Sequence, residues 1–415
     1  MADRDLTDVS RSTVAMLEAL LRRTHLSVPE QLAAIVAEEA RAIGAERLVL
    51  HLVDFEQRHL VPIPAPDAEG REPLSIQGTV GGRAFTSSSI LQVEGDEGRA
   101  TRVWLPLLDG TERLGVMEVT FEGEPASVPD ALIAVCERYA HLTAMLIVTK
   151  GAYSDVFQHV RRSRPMTVAS QLLWSLTPPL VSASDDVVVG GMLEPCYDMG
   201  GDALDHALNG NVLHLAVFDA MGHGLAAAGA AAFALSAYRT SRAHGDDLAE
   251  TCAAIDEAVA DQYPADRFVT AVLVELDVHT GRLRWISAGH PPPLLLRAGR
   301  LVKTLDLPPR PPMGMRLAGG PTAEGDESLE PGDMVLLYTD GLTEARRPGG
   351  ELFTVERLGE FIERQAAAGQ AAPETLRRLR EAIIERGEGA LQDDASALLV
   401  EWRRGTQGSV VPETV

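Results

Sequence analysis

Cysteine is scarce in this chain: Cys136, Cys196 and Cys252 are the only three in 415 residues, and no two of them stand in a CxxC or similar paired spacing. That excludes a disulfide framework or a thiolate zinc site and fits a reducing, cytoplasmic setting. Basic residues are also outnumbered, 37 Lys and Arg against 60 Asp and Glu, which leaves a net charge of −23. Nucleic acids and anionic membranes attract proteins through clustered Lys and Arg, so neither is an expected partner. The first residues contain no basic segment leading into an apolar stretch, so no secretory signal is expected. The longest apolar run, Gly224 to Tyr238, is rich in Ala and Gly and falls short of the roughly 20 residues a membrane-spanning helix needs. Internal repeats are absent. What is present is an ordinary folding composition, 45% apolar and 23% charged, in a chain long enough to bury two cores.

Between Val28 and Ile43 the residues Leu32, Ala33, Ile35, Val36, Ala40 and Ile43 recur at helical spacing, and Arg47 to Val53 then reads as a strand. Leu60 to Ile63, Arg102 to Leu107 and Arg113 to Phe121 are further strands, the last two joined by a turn at Asp109-Gly110. Residues 1–126 thus form a small α/β domain whose order of helix, strands, hairpin and closing helix resembles a GAF sensory domain. Such a domain would take a small ligand in an apolar pocket; a structural or dimerising module is the alternative. Ser127, Pro129 and Asp130 start a helix in which Leu132, Val135, Tyr139, Leu142, Leu146, Tyr153, Val156 and Val160 keep a heptad-like spacing. Residues 127–180 are therefore expected to be linker helices, with two readings open: a dimerising coiled coil, or a stripe packed on its own domain. A larger domain spans 181–404, with helical blocks from Leu225 to Tyr263 and Val355 to Arg386, and 405–415 reads as a disordered tail.

In this larger domain four aspartate contexts flank apolar strand-like runs: Gly200-Gly201-Asp202, Phe218-Asp219-Ala220, Thr339-Asp340-Gly341 and Asp393-Asp394-Ala395. A single Asp beside Gly is more often a turn residue or helix cap than a ligand. Several together, with no thiolate companions, favour hard divalent cations, Mn²⁺ or Mg²⁺. Two such ions roughly 3.5–4 Å apart are a common device for phosphoryl hydrolysis.

The blocks Gly200-Gly201-Asp202, Asp219-Ala220-Met221-Gly222-His223-Gly224, Arg267-Phe268-Val269-Thr270, Ala288-Gly289-His290-Pro291-Pro292, Pro312-Met313-Gly314, Leu329-Glu330-Pro331-Gly332-Asp333, Tyr338-Thr339-Asp340-Gly341-Leu342-Thr343-Glu344-Ala345 and Asp393-Asp394 follow one another in this order. The ordered set resembles the SpoIIE/RsbU branch of the PPM-type (type 2C-like) serine/threonine phosphatases, from about Thr177 to Arg403. The resemblance implies an αββα sandwich that dephosphorylates phosphoserine or phosphothreonine on a regulatory protein, an anti-sigma-factor antagonist, through a metal-activated water. Carried over by position, Asp219 bridges two ions and the Ala220 carbonyl completes one coordination sphere. Asp340 and Asp393 hold the other ion, Asp202 binds directly or through water, and Asp394 is held in reserve. His223 and His290 are candidates to orient phosphate or protonate the leaving group, or else to fix their loops. The chain departs from the family pattern at Ala203-Leu204, where an aromatic residue is usual before Asp205, and at Ala220, where Val is common. Two other functions remain open at this level, a catalytically silent sensory scaffold of the same fold and a metal-dependent nuclease. A shift of the helix that begins at Leu225, next to the Asp219 loop, is the expected route for an input signal to reach the site.

Overall fold

A computed structural model describes residues 2–94, 100–122, 128–264, 266–317, 322–345, 353–384, 393–405 and 410. The chain divides into two compact units, with the boundary between Ser163 and Arg164. The expected linker helices are shared out between them, and the expected tail lies, apart from Gly405 and Val410, outside the described residues.

The first unit is built on one six-stranded antiparallel sheet. Its strands are β1 (Arg47–Val53), β2 (His59–Pro62), β3 (Leu74–Ser75), β4 (Leu91–Glu94), β5 (Ala100–Asp109) and β6 (Glu112–Glu122), in the order β3-β2-β1-β6-β5-β4. The Asp109-Gly110 turn joins β5 to β6 as expected, with Gly110 at φ +58°. Alternation along the strands sends Leu48, Leu50, Leu52, Val103, Leu105, Met117 and Val119 to one face, where they meet helices α2 (Leu32–Ala40) and α4 (Asp130–Gly151). Helix α3 (Val80–Ser87) covers Trp104 and Val116 on the other face. A helix not anticipated from the sequence, α1 (Ala2–Thr24), places Met16 and Leu20 in the α2/α4 core.

The heptad-like stripe packs in large part on its own unit. Helix α4 stops at Gly151, α5 (Val156–Arg161) follows, and Val135 and Tyr139 are buried in the core of the first unit. Leu132, Leu142, Leu146, Val156 and Val160 pack partly buried on the same core, and Tyr153 is exposed. By length and composition alone α4 is apolar enough to cross a bilayer, yet it contributes Cys136, Ala140, Ala144 and Ile147 to the same protein core.

The second unit is a four-layered sandwich. One sheet has the order β15-β12-β11-β10-β9, built from β9 (Asp202–Asn209), β10 (Val212–Ala220), β11 (Val269–Asp277), β12 (Arg282–Ala288) and β15 (Gly325–Ser328). The other has the order β14-β13-β16-β17-β8-β7, from β7 (Val181–Ala183), β8 (Val187–Glu194), β13 (Leu294–Arg297), β14 (Arg300–Thr304), β16 (Met334–Tyr338) and β17 (Ala395–Trp402). Leu204, Leu215 and Val217 of the first sheet share a core with Val189, Leu337 and Leu398 of the second. Helices α7 (Leu225–His244) and α8 (Leu248–Gln262) cover the first sheet, and α10 (Val355–Ala367) and α11 (Ala372–Ile384) cover the second. This is the expected αββα arrangement. The Ala-rich run from Leu225 is a packed helix, because Ala227, Ala228, Ala230, Ala231 and Ala234 let α7 lie close on the sheet. The Gly245 C-cap at φ +82° ends α7, and an Asp247–Glu250 capping box starts α8.

Leu204, where the family pattern has an aromatic residue, is buried opposite Val217 and fills the core between the sheets. Its neighbour Asp205 is buried and accepts from Arg239 at 2.6 Å and Arg242 at 2.7 Å, both on α7. Arg239 also donates to the Leu176 carbonyl at the end of α6 (Val168–Leu176). Asp205 therefore ties β9, α7 and α6 together. Asp205→Ala leaves two guanidinium groups without their carboxylate, and an equilibrium urea titration is expected to show a loss of about 2–3 kcal/mol, reduced from the fully buried case by the partial exposure of Arg239.

Candidate metal centre

The sheet register brings the first carboxylates together. On β9 and β10, Asp202 stands directly opposite Asp219, and Thr270 of β11 flanks Asp219 on its other side. Asp340 opens the short helix α9 (Asp340–Glu344) immediately after β16, and Asp393 and Asp394 lead into β17. β16 and β17 are neighbours in the second sheet, so the mouth of the sandwich collects carboxylates from both sheets.

The small residues beside these aspartates are required by close packing. A Cβ on Gly201 would stand 2.5 Å from the Ala220 carbonyl oxygen, and one on Gly341 would stand 1.8 Å from the Asp394 carbonyl oxygen. Either contact would push the strand ends apart. The Ala220 amide donates to the Gly201 carbonyl at 3.1 Å, which pins the Asp219 end of β10 to the Gly-Gly-Asp turn.

Asp394 holds that turn. Its Oδ2 accepts from the backbone amides of Gly200 and Gly201, each at 2.6 Å, and of Asp202 at 3.3 Å. Asp202 lies deeper, only 1% exposed, and its Oδ2 accepts from the Thr339 hydroxyl at 2.8 Å. The Thr339 oxygen in turn accepts from the Ser396 amide at 2.9 Å. Thr339 is thus a positioning residue between the two sheets that sequence reasoning passed over, although it stands within the quoted Tyr338-Thr339-Asp340 run.

The carboxylates raise one another's pKa. Burial pushes Asp219 up to about 7, reinforced by the charges of Asp340, Asp393, Asp394 and Glu344. Asp340 is raised by burial, then by Glu344 and Asp393. Asp202 is held well above its usual range by burial, then by Asp219 and Asp394, against hydrogen bonds from Ser396 and Thr339. Burial also raises Asp394, although three backbone amides oppose the shift. Glu344 was not singled out from the sequence as a site residue; its place four residues after Asp340 on α9 was the available signal.

Among the described residues, no Lys or Arg forms an ion pair with Asp219, Asp340 or Asp393. Nor do three His, Cys, Asp or Glu side chains there form a group that could hold an ion by themselves. Oxygen donors that repel one another without a basic partner suit a hard divalent cation such as Mn²⁺ or Mg²⁺, with water or backbone oxygen making up the remaining coordination. The Ala220 carbonyl lies against Gly201 at this mouth.

The two histidines differ. His223 is exposed in the loop between Gly222 and Gly224, and its Cα would lie 3.2 Å from a Cβ on Gly200. His290 is buried, with Nδ1 2.9 Å from the Thr270 hydroxyl, and burial pulls its pKa down to about 3. Its imidazole is therefore uncharged and supports Thr270, the neighbour of Asp219. The cysteines offer no nucleophile. All three are buried, burial pushes Cys136 up to about 12, and burial raises Cys252 too.

Residues 209–403 match the sequence model of the family described as Stage II sporulation protein E (SpoIIE). Protein IcfG of Synechocystis sp. is 30% identical over 136 residues, which are 33% of this chain and 21% of IcfG. Phosphoserine phosphatase RsbU of Bacillus subtilis is 22% identical over 236 residues, 56% of this chain and 68% of that protein. The crystal structure of the RsbU and RsbW domains of a Mycobacterium tuberculosis protein superposes with a TM-score of 0.44 at 28% identity, covering 52% of this chain and 62% of that one. The chain thus spans about a fifth of the length of IcfG and more of RsbU. Over residues 209–403, this chain is therefore similar to the family described as Stage II sporulation protein E (SpoIIE).

Proposed function

We propose that the second unit is a metal-dependent protein serine/threonine phosphatase acting on a phosphorylated regulatory protein, an anti-sigma-factor antagonist by family resemblance. The observation that supports this reading is that Asp340 and Asp393, at the ends of strands in one sheet, act by charge on Asp219 at the end of a strand in the other, within the segment that matches the SpoIIE sequence model. Two Mn²⁺ or Mg²⁺ ions, when bound, supply an acidified water and charge stabilisation for the phosphoryl group.

The residues of the chain do the rest. Asp219, Asp340 and Asp393 present oxygens for the ions, and Asp202 acts from beneath, directly or through water. Asp394 keeps the Gly200-Gly201-Asp202 turn in place through its three amide hydrogen bonds. His223, on the exposed loop beside the turn, is placed to orient the phosphate or hand a proton to the departing serine or threonine oxygen. His290 is assigned to loop support.

Hydrolysis of p-nitrophenyl phosphate and of a serine-phosphorylated antagonist protein, each with Mn²⁺ or with a chelator, tests the proposal. Release of phosphate from the phosphoprotein that is lost on chelation and restored by Mn²⁺ is the expected result. No metal-dependent release from either substrate would sink it. Plasmid cleavage under the same conditions is expected to be absent.

A further inference from the structure

We infer that helix α6 braces the Gly200-Gly201-Asp202 turn of the metal centre, with Trp174 as a positioning residue; the inference rests on the metal-centre reading given above. Two adjacent glycines give a turn no side chains to hold it and the widest choice of backbone conformations. Its shape must come from its partners. Asp394 supplies one set, by accepting from the amides of the turn itself. Helix α6 supplies the other, by gripping the chain that leads into the turn and the strand that leaves it.

Three of the four carbonyls from Cys196 to Met199 accept from this helix or its N-cap: Cys196 from the Trp174 indole Nε1–H at 2.9 Å, Tyr197 from the Thr167 amide at 2.9 Å, and Met199 from the Ser170 hydroxyl at 3.5 Å. Met199 is the residue before Gly200. Cys196, Tyr197 and Met199 are each at most 2% exposed, so water has little access to compete for these bonds. Arg164, just ahead of the helix, donates to Asp198 at 2.7 Å and lies over the Tyr197 ring at 4.9 Å. Beyond the turn the same helix is tied again. Arg239 donates both to the Leu176 carbonyl and to Asp205, each at 2.6 Å, and Asp205 stands three residues after Asp202. The turn is thus bracketed on both flanks by α6.

A brace acts only if it is itself fixed. Ala169 and Leu173 are buried in the core of the second unit, and the Thr167 hydroxyl caps α6 by accepting from the Ser170 amide at 3.1 Å. The helix also packs on α7, which starts five residues after Ala220. Groups that locate a metal-binding carboxylate change ion affinity without touching the ion, because the carboxylate must otherwise be ordered when the ion binds. An indole N–H can only donate, and phenylalanine keeps much of the ring's packing while removing that donor. Trp174→Phe therefore loosens the chain ahead of the turn and leaves α6 in place.

Calorimetric titration of the full chain with Mn²⁺ tests this, with Trp402→Phe as the matched control. The Trp402 indole Nε1–H donates to the Val278 carbonyl at 2.8 Å, a bond of the same kind, but Trp402 ends β17 and Asp394 precedes its first residue. Trp174→Phe is expected to weaken Mn²⁺ binding about tenfold, Ser170→Ala about threefold and Trp402→Phe less than about twofold. Urea unfolding in chelator reads stability separately, so a variant that only weakens the fold is told from one that misplaces the turn. If Trp174→Phe does not fold, the smaller change Ser170→Ala carries the test. Mn²⁺ affinity within about twofold of wild type in the folded α6 variants, or an equal loss in Trp402→Phe, would overturn the inference and leave the metal reading standing. No Mn²⁺ binding by the wild-type chain would overturn both.

Discussion

Asp219→Asn is expected to lower metal-dependent phosphate release by about 10³-fold or more while making the metal-free protein more stable. The two effects have one cause. Asp219 is the carboxylate most crowded by its neighbours: Asp340, Asp393, Asp394 and Glu344 all act on it, and burial withholds the water that would screen them. Without an ion the fold carries this repulsion, and replacing one charged carboxylate by a neutral amide of the same shape relieves about 1–3 kcal/mol of it. With an ion the same charge is what binds. Mn²⁺ should therefore raise the melting temperature of the wild-type chain and leave that of the variant nearly unmoved. Differential scanning fluorimetry in Mn²⁺ and in chelator, run beside the phosphatase assay, reads both. A variant that keeps more than about a tenth of the activity, or melts earlier without metal, would remove Asp219 from the centre of the site.

Asp394→Ala is expected to act mainly through stability, with a loss of about 3 kcal/mol in chelator by urea unfolding. Its Oδ2 accepts from three consecutive amides of the Gly200-Gly201-Asp202 turn, and alanine would leave those buried donors unpaired. Asp394→Asn retains an acceptor oxygen and should lose less than half as much. Metal affinity should fall in the alanine variant as well, because the turn that positions Asp202 loosens. A full loss of Mn²⁺ binding in Asp394→Asn with unchanged stability would make Asp394 a ligand in its own right and not a holder of the turn.

The parts of the fold that could be read in advance are those governed by neighbours in the chain. The strand Arg47–Val53 and the hairpin at Asp109-Gly110 follow from local alternation and turn chemistry, and both appear where expected. The Ala-rich segment after Gly224 was recognisable as a packed helix for the same reason. Helix α1 was missed although its apolar residues do recur at helical spacing, Met16, Leu17 and Leu20 sharing the face that packs on the core; its low overall hydrophobicity hid the period. The linker stripe was ambiguous because a heptad pattern marks an apolar face without saying what covers it.

The site divides in the same way. Composition and local context pointed to which aspartates to watch and the divalent ions that suit them, since glycine beside carboxylate is a property of short segments, and the family resemblance carried by the motif order implied the sandwich. Which carboxylate does what was decided by pairings across the fold. Asp394 meets Gly200 across 194 positions in sequence, Thr339 reaches Asp202 across 137, and His290 is neutral because the folded core, not its Pro-rich loop, sets its surroundings. The carboxylate set and its chemistry are therefore written in the sequence by itself. The proposed separation of those residues into ion holders, turn holder and buried supports exists only once the strands are in register, because burial and charge repulsion depend on distances that only the tertiary structure creates.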